Sequence, residues 1–165
     1  MVNFFTDTPD LLFHLKNGDW RDIVVRKEED FADAGKFDDA PNDYEDAIDN
    51  YERVLELMGE ICGERIAPRA AEVDEEGCHL ENGKVRYAAG VQAAIEELSQ
   101  ADLMGFTMPR RYGGLNLPTF MYNIAIEMVS RADVSLMTLF GLQDISETIY
   151  AFADEVSCDE FLPKF

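Results

Sequence analysis

The fold class is decided by one stretch, residues 119–152, whose sequence is TFMYNIAIEMVSRADVSLMTLFGLQDISETIYAF. In its first half, apolar residues recur at the i, i+3, i+4, i+7, i+8 spacing of one helix face. Its second half is apolar at most positions, which is typical of a helix buried in a bundle or against another domain. The stretch therefore predicts two consecutive helices, one from about Thr119 and a buried one that Asp133 caps. The apolar residues at this spacing in the first half are Met121, Ile124, Ala125, Met128 and Val129. The apolar residues of the second half are Leu136, Met137, Leu139, Phe140, Leu142, Ile145, Ile149 and Phe152.

Helical periodicity continues upstream of this stretch. Asn42 is predicted to cap a long helix that starts near Tyr44, and Pro68 is predicted to kink or end it. Gly77 and Gly83 indicate a loop, and a further helix is predicted from about Ala88 to Ala101. Because no alternating pattern of comparable strength is present, the sequence predicts an all-α fold, a helical bundle.

Two parts of the chain differ in composition. Residues 44–165 carry the helical periodicity and are predicted to be the helical domain, whereas residues 1–43 are predicted to be an N-terminal extension and acidic linker. Within the extension, Thr8 and Pro9 predict a short helix with Thr8 as its N-cap and Pro9 at its first position. Residues 26–43 are rich in Asp, Glu, Ala and Gly, which favours a linker.

The charge balance excludes some partners. The chain has 165 residues, with 34 Asp and Glu against 14 Lys and Arg, and a formal net charge of −20. Nucleic acid and anionic membrane surfaces both attract Lys and Arg, so neither is an expected partner. The acidic excess is concentrated between residues 28 and 60. It favours a solvated face, with a docking surface for a basic protein as the alternative.

Cysteine usage and hydropathy point to a cytoplasmic protein. Cys62, Cys78 and Cys158 are odd in number and widely spaced, unlike a disulfide framework or a zinc site. No apolar run approaches the ~20 residues of a membrane span, and no secretory signal opens the chain.

Few side chains in the sequence suggest chemistry of their own. His14 and His79 stand alone, and Glu60 and Glu64 share a helix face without the histidines of a di-metal bundle. The pair Gly113-Gly114 lacks the spacing of a phosphate-binding loop and predicts a turn with positive φ. No catalytic, metal-binding or cofactor-binding residue is therefore predicted in this chain.

Several ordered segments carry a family resemblance. Residues 103–117, LMGFTMPRRYGGLNL, are followed by SRADVS at 130–135 and FLP at 161–163, and are preceded by IAPRAAEVD at 66–74. Over residues 45–165 the chain resembles the N-terminal domain of the acyl-CoA dehydrogenase family. The extension resembles that of a larger subgroup that includes methylthiopropanoyl-CoA dehydrogenases. The chain departs from the family pattern at Ala153, where a glycine is usual, and at residues 154–160.

The resemblance implies an activity that this chain would share only as part of a longer protein. Family members remove the α-proton of an acyl-CoA and transfer the β-hydride to FAD, as part of fatty acid metabolism. Their catalytic Glu and most flavin contacts belong to a β-domain and a C-terminal helical domain, both absent from this chain. The resemblance therefore implies that this segment alone is inactive and binds no FAD. It also implies an acyl-CoA substrate, an electron-accepting flavoprotein partner and a homo-oligomer for the full-length protein.

The resemblance further implies that this domain contributes interdomain packing and one wall of the acyl pocket. The implied wall residues are Met137, Thr138, Gly141, Leu142 and Ile145. The alternative is that they pack the bundle core, and for Thr138 a hydroxyl in an apolar helix then needs a partner. Arg131 and Asp133 are expected to form a capping or interdomain salt-bridge pair, with a ligand contact as the alternative. The alternative function is a non-catalytic acidic helical module that binds a protein partner.

Overall fold

The computed structural model describes residues 1–164 and confirms the all-α prediction. The strands of the described residues form a single hairpin, in which β1 (His79–Glu81) pairs antiparallel with β2 (Lys84–Arg86). The helices are α1 (Pro9–Asn17), α2 (Arg21–Lys27), α3 (Tyr44–Ile61), α4 (Ala70–Glu76), α5 (Ala89–Gln100), α6 (Thr119–Ala132), α7 (Val134–Gly141), α8 (Ile145–Phe152) and α9 (Glu155–Phe161).

The core lies between α3, α5, α6 and α7. Each helix buries the apolar stripe that its sequence spacing predicts, so the side chains interdigitate at the center of the bundle. Burying one such Leu or Met contributes about 1.5–3 kcal/mol relative to exposure. The largest fully buried side chains include Tyr51, Leu55, Met58, Leu98, Met121, Met128 and Phe140.

The long helix α3 begins at Tyr44, as predicted, but it ends at Ile61, before Pro68, and its cap differs. Asp43, not Asn42, is the N-cap, and its carboxylate accepts a hydrogen bond of 2.9 Å from the Asp46 amide. At the other end, the chain widens into a π-helical turn at Cys62–Ile66 and tightens into a 3₁₀ turn at Ala67–Arg69 before α4. The prediction that Pro68 disturbs this helix is thus confirmed, since proline cannot donate its backbone hydrogen bond.

The N-terminal extension contributes to the same core. Phe5, Leu15 and Val24 are fully or almost fully buried against it. As predicted, Thr8 is the N-cap of α1 and Pro9 its first residue, but the Thr8 hydroxyl makes no capping hydrogen bond and donates to the Phe4 carbonyl at 2.7 Å. The boundary between the extension and the helical domain, at residues 43 and 44, stays a prediction, although residues before it are part of the buried core.

The segment predicted as a linker is held to the body by a buried ion pair. Arg110 donates to both carboxylate oxygens of Glu28, at 2.6 and 3.2 Å, and the two side chains are 2% and 1% exposed. Tyr51 donates its hydroxyl to Glu28 at 2.6 Å. Burial, with the Glu28 carboxylate beside it, raises the pKa of Tyr51 above its usual range, so the phenol stays a neutral donor.

Three residues directly after Glu28 turn the chain with a left-handed backbone. Glu29, Asp30 and Phe31 have φ of 48°, 55° and 61°, a conformation that costs roughly 1–2 kcal/mol per residue for L-amino acids. A run of three needs strong tertiary contacts to persist, and the Glu28–Arg110 pair lies at its start.

The last predicted long helix is divided in two. A 3₁₀ turn at Leu142–Asp144 separates α7 from α8. The cause lies at the Phe140 carbonyl, which accepts hydrogen bonds from the Tyr122 hydroxyl at 3.1 Å and from the Gln143 side-chain amide at 3.0 Å. Burial raises the pKa of Tyr122 to about 12, which keeps this donor protonated. The backbone amides that would continue the α-helix therefore compete with the Tyr122 and Gln143 side chains for the Phe140 carbonyl, and the helix is interrupted there.

Two glycine-marked segments became defined turns. Residues 105–117 form a loop tied across itself, with the Asn116 amide donating to the Met108 carbonyl at 2.9 Å. Gly113 has the predicted positive φ, 87°. The loop predicted from Gly77 and Gly83 instead contains the β1–β2 hairpin, whose turn residues Asn82 and Gly83 both have positive φ, at 51° and 76°. Such a two-residue turn matches the twist of paired strands.

Candidate functional site

A cleft of about 710 Å³ lies between α7 on one side and α4, the hairpin base and the start of α5 on the other. Its size falls in the range of small-molecule sites, roughly 300–1,000 Å³. Apolar side chains dominate the lining, as such sites generally require. The lining residues are Ala70, Val73, Asp74, Gly77, Cys78, Tyr87, Ala88, Val91, Ser130, Arg131, Ala132, Asp133, Val134, Ser135, Thr138, Leu139 and Leu142.

Two of the predicted wall residues line this cleft. Thr138 and Leu142 are one helical turn apart on the face that Val134 begins, and all three are exposed. The exposed Thr138 hydroxyl can bond to solvent or ligand, so it needs no partner within the bundle. Ile145 follows on the same side of the chain and is 50% exposed, but it lies outside the cleft lining.

The other two predicted wall residues lie closer to the bundle. Met137 is half-buried and packs against the core cluster. Gly141 is turned toward α6, because a Cβ added there would lie 3.5 Å from the Ile126 Cδ1 atom. The structure thus brings Thr138 and Leu142 together in the cleft, and it places Met137 and Gly141 on the inner side of α7.

The N-terminus of α7 fixes the position of this wall. Asp133 is buried and accepts hydrogen bonds from the amides of Ser135, at 2.8 Å, and Leu136, at 3.3 Å. The predicted capping by Asp133 is confirmed. A pair with Arg131 is not formed: the Arg131 guanidinium donates to Thr8 at 3.0 Å and lies 4.2 Å from the Phe4 ring centroid. Arg131 therefore binds the N-terminal extension instead.

A second wall of the cleft was missed by the sequence argument. It includes Val73 and Val91, which are buried, and Cys78 and Tyr87, which are exposed at the base of the hairpin. One signal was available, since Asn82-Gly83 between short runs is a strong indication of a hairpin. The approach of the hairpin base to α7 is a long-range contact that no local pattern indicates.

The cleft, as the described residues form it, does not by itself fit a flavin. Arg131 is the only basic side chain in the lining, and it already binds Thr8 and Phe4. The carboxylates of Asp74 and Asp133 also line the cleft, and they would repel a pyrophosphate. The arrangement suits a neutral apolar ligand.

Other kinds of site find little support between residues 1 and 164. No three His, Cys, Asp or Glu side chains there are grouped so that they could hold a metal ion. No helix in this part of the chain has both the length and the hydropathy needed to span a bilayer.

The comparison with protein families decides the relationship. The family model for the acyl-CoA dehydrogenase N-terminal domain matches residues 49–165. The chain belongs to the acyl-CoA dehydrogenase family. This confirms the resemblance based on the loop at 103–117 and on the segments around it. In this acyl-CoA dehydrogenase domain, the matched region spans α3 through α9, apart from the first residues of α3.

One curated relative agrees with the subgroup that the extension resembles. The chain is 36% identical over 95 residues to 3-methylmercaptopropionyl-CoA dehydrogenase of Ruegeria pomeroyi. The aligned part is 58% of this chain and 16% of the relative. The chain thus spans only a small part of that protein.

Beyond the cleft, α8 and α9 expose large apolar side chains. Phe152 is 87% exposed, and Ile145, Val156 and Phe161 are also largely accessible. Isolated surface apolar residues are ordinary, but a contiguous group marks a surface that another protein segment covers. Within the described residues, α8 is not buried in the bundle, because its apolar face points outward, and its burial against another domain stays a prediction.

We expect this exposed apolar surface to make the isolated chain self-associate. The chain should bind an apolar-surface dye and associate as its concentration rises. Changing Phe152→Ser should reduce both effects, whereas Phe13→Ser, at a 59% exposed aromatic on α1, should not. Dye fluorescence and light scattering measure this. Equal behaviour of the two variants, or no association at all, would contradict the expectation.

Proposed function

We propose that this chain is the N-terminal domain of an FAD-dependent acyl-CoA dehydrogenase that forms the α,β double bond of an acyl-CoA thioester. The domain would supply one wall of the acyl pocket and an interdomain packing surface. The observation that carries the proposal is the outward apolar face of α7 and α8, where Thr138 and Leu142 line a cleft and Ile145 continues the exposed surface. Membership of the family supports the reaction class.

The domain's own residues have a binding role in this proposal. Leu142 and Val134 offer apolar contacts to an acyl chain and displace water from it. The Thr138 hydroxyl is free to hydrogen-bond at the pocket wall. Because the cleft carries carboxylates and no free cation, we assign the flavin and the catalytic base to the other domains of the longer protein.

Several finer features belong to the same proposal. The acyl-CoA would be neutral at its acyl end, because Asp74 and Asp133 would repel an added carboxylate. The relative's name makes a methylthio-substituted acyl chain one candidate. We also propose a cytoplasmic homo-oligomer that passes electrons to a flavoprotein.

The test is a spectrum of the full-length protein. The gene is translated downstream of the codon for Phe165, the whole protein is expressed, and its visible spectrum is recorded with a panel of acyl-CoAs. We expect a flavin spectrum that bleaches with at least one thioester. We also expect the isolated chain to be colourless and inactive.

Two results would overturn the proposal. A full-length product without flavin, or a reading frame that stops near Phe165, would favour a non-catalytic helical module. A yellow isolated chain that retains FAD through gel filtration would show that the flavin site lies in this domain.

A further inference from the structure

The β1–β2 hairpin presents one apolar face, and that face begins in the cleft. The pairing joins His79 to Arg86 and Leu80 to Val85. Continued by one residue, this register places Cys78 opposite Tyr87, and both residues line the cleft. Because side chains alternate between the two faces of a strand pair, Cys78, Tyr87, Leu80 and Val85 share one face.

This face has no partner among the described residues. Tyr87 is 43% exposed, and Leu80 and Val85 are more exposed still. Across the cleft, Val134 and Leu142 are exposed in the same way. Cys78 and Tyr87 on one side and Val134 and Leu142 on the other line one opening, where an apolar ligand loses contact with water on both sides.

The positions of the two hairpin residues are well defined. The positive φ of Gly77, 62°, ends α4 and turns the chain into β1. On the other side, Ala88 and Val91 are buried at the start of α5, which anchors the chain after Tyr87. A residue on such anchored elements can select between ligands, since its side chain has a fixed place in the wall.

We propose that the hairpin is the second wall of the acyl site and that Cys78 and Tyr87 contact the acyl chain of the thioester, selecting its length. This inference rests on the proposed function. Short acyl chains would contact Thr138 and Leu142 first, and longer ones would extend along Tyr87 toward Leu80 and Val85. Cys78 and Tyr87 are specificity residues and take no part in the chemistry.

The first experiment measures specificity in the full-length protein. Tyr87→Ala and Cys78→Ala are assayed with butanoyl-, octanoyl- and palmitoyl-CoA. We expect the ratio of kcat/KM between two chain lengths to change by about tenfold in Tyr87→Ala, the scale of a methylene-sized change in an apolar pocket. The change should fall on KM more than on kcat. His79→Ala, on the opposite hairpin face, is the matched control and should leave the ratio unchanged.

The second experiment follows the Cys78 thiol directly. Cys78 is exposed, whereas Cys62 and Cys158 are buried. Maleimide labelling of the peptide that contains Cys78 is timed by mass spectrometry with and without each acyl-CoA. We expect the acyl-CoA with the lowest KM to slow the labelling, and free coenzyme A to have no such effect.

The outcomes separate this inference from the proposed function. If the full-length protein is reduced by acyl-CoAs but labelling and chain-length ratios stay unchanged, the hairpin is not part of the acyl site and the proposed function stands. If no acyl-CoA reduces the protein, both the proposed function and this inference are wrong. A Tyr87→Ala variant that loses activity equally for every chain length would also overturn the inference.

Discussion

Changing Arg110→Met should lower the free energy of unfolding of this chain by about 3–5 kcal/mol, the usual effect of removing one partner of a buried ion pair. The variant leaves the Glu28 carboxylate almost fully buried, with the Tyr51 hydroxyl and the Asn116 amide as its side-chain donors. Burial alone would lower the pKa of Arg110, but its hydrogen bond with Glu28 raises the pKa overall. The guanidinium is therefore charged at every pH at which the protein folds.

The control is an exposed pair of the same kind. Arg21 binds Glu45 at 2.7 Å, but both side chains are more than half exposed. Arg21→Met should therefore cost less than about 1 kcal/mol. Urea unfolding followed by circular dichroism gives both values. Similar values for the two variants would mean that the buried pair contributes no more than a surface pair.

A double variant separates the pair from its surroundings. If the loss in Arg110→Met comes from an unpaired buried carboxylate, then adding Glu28→Met should recover part of the stability, because no charge is left uncompensated. A double variant less stable than Arg110→Met alone would show that Glu28 contributes chiefly through Tyr51 and Asn116.

Gly114→Ala should destabilise the chain by about 3 kcal/mol, the upper range for forcing an extra methyl group into a packed site. A Cβ at this position would lie 2.1 Å from the Met108 carbonyl oxygen and 2.6 Å from its carbon. These are backbone atoms, and the same oxygen accepts the Asn116 amide hydrogen at 2.9 Å. Relief of the clash would therefore disrupt the hydrogen bond that closes the loop.

The neighbouring glycine provides the matched control. Gly113 has φ of 87°, and a Cβ there would meet no atom within 4 Å. Gly113→Ala should thus lower the free energy of unfolding only by the cost of a left-handed backbone at alanine, roughly 1–2 kcal/mol. The same urea titration compares the two variants. If Gly113→Ala is the more destabilising change, then the backbone conformation at Gly113, and not the close approach at Gly114, is the main reason that this loop needs glycine.

Local signals predicted the helices well. The start of α6 was predicted at Thr119, and Asp133 marked the start of α7, because capping depends on residues within one turn. The cap at Asp43 was assigned one residue early, since Asn42 and Asp43 are both good capping residues. The division after Gly141 was not predicted because its cause, two side-chain donors on the Phe140 carbonyl, includes Tyr122 from another helix.

The buried ion pair and the second wall of the cleft were not predicted because both depend on contacts between residues far apart in the chain. Glu28 and Arg110 are far apart in the chain, and the acidic excess that includes Glu28 was interpreted as a solvated face. The same holds for the cleft: α7 carries a readable apolar face, whereas Cys78 and Tyr87 approach it only through the packing of α4 and α5. The family resemblance implied a wall that includes Thr138 and Leu142, which both line the cleft, and it implied nothing about the hairpin side.

The buried Glu28–Arg110 contact has a consequence for how such proteins are divided into parts. Family similarity begins at residue 49, yet Glu28 precedes that point and neutralises a charge in the center of the matched region. A shortened protein starting at the boundary of similarity would keep the guanidinium and lose its counter-ion. Arg110 and the extension therefore form one folding unit that is larger than the region matched by the family model.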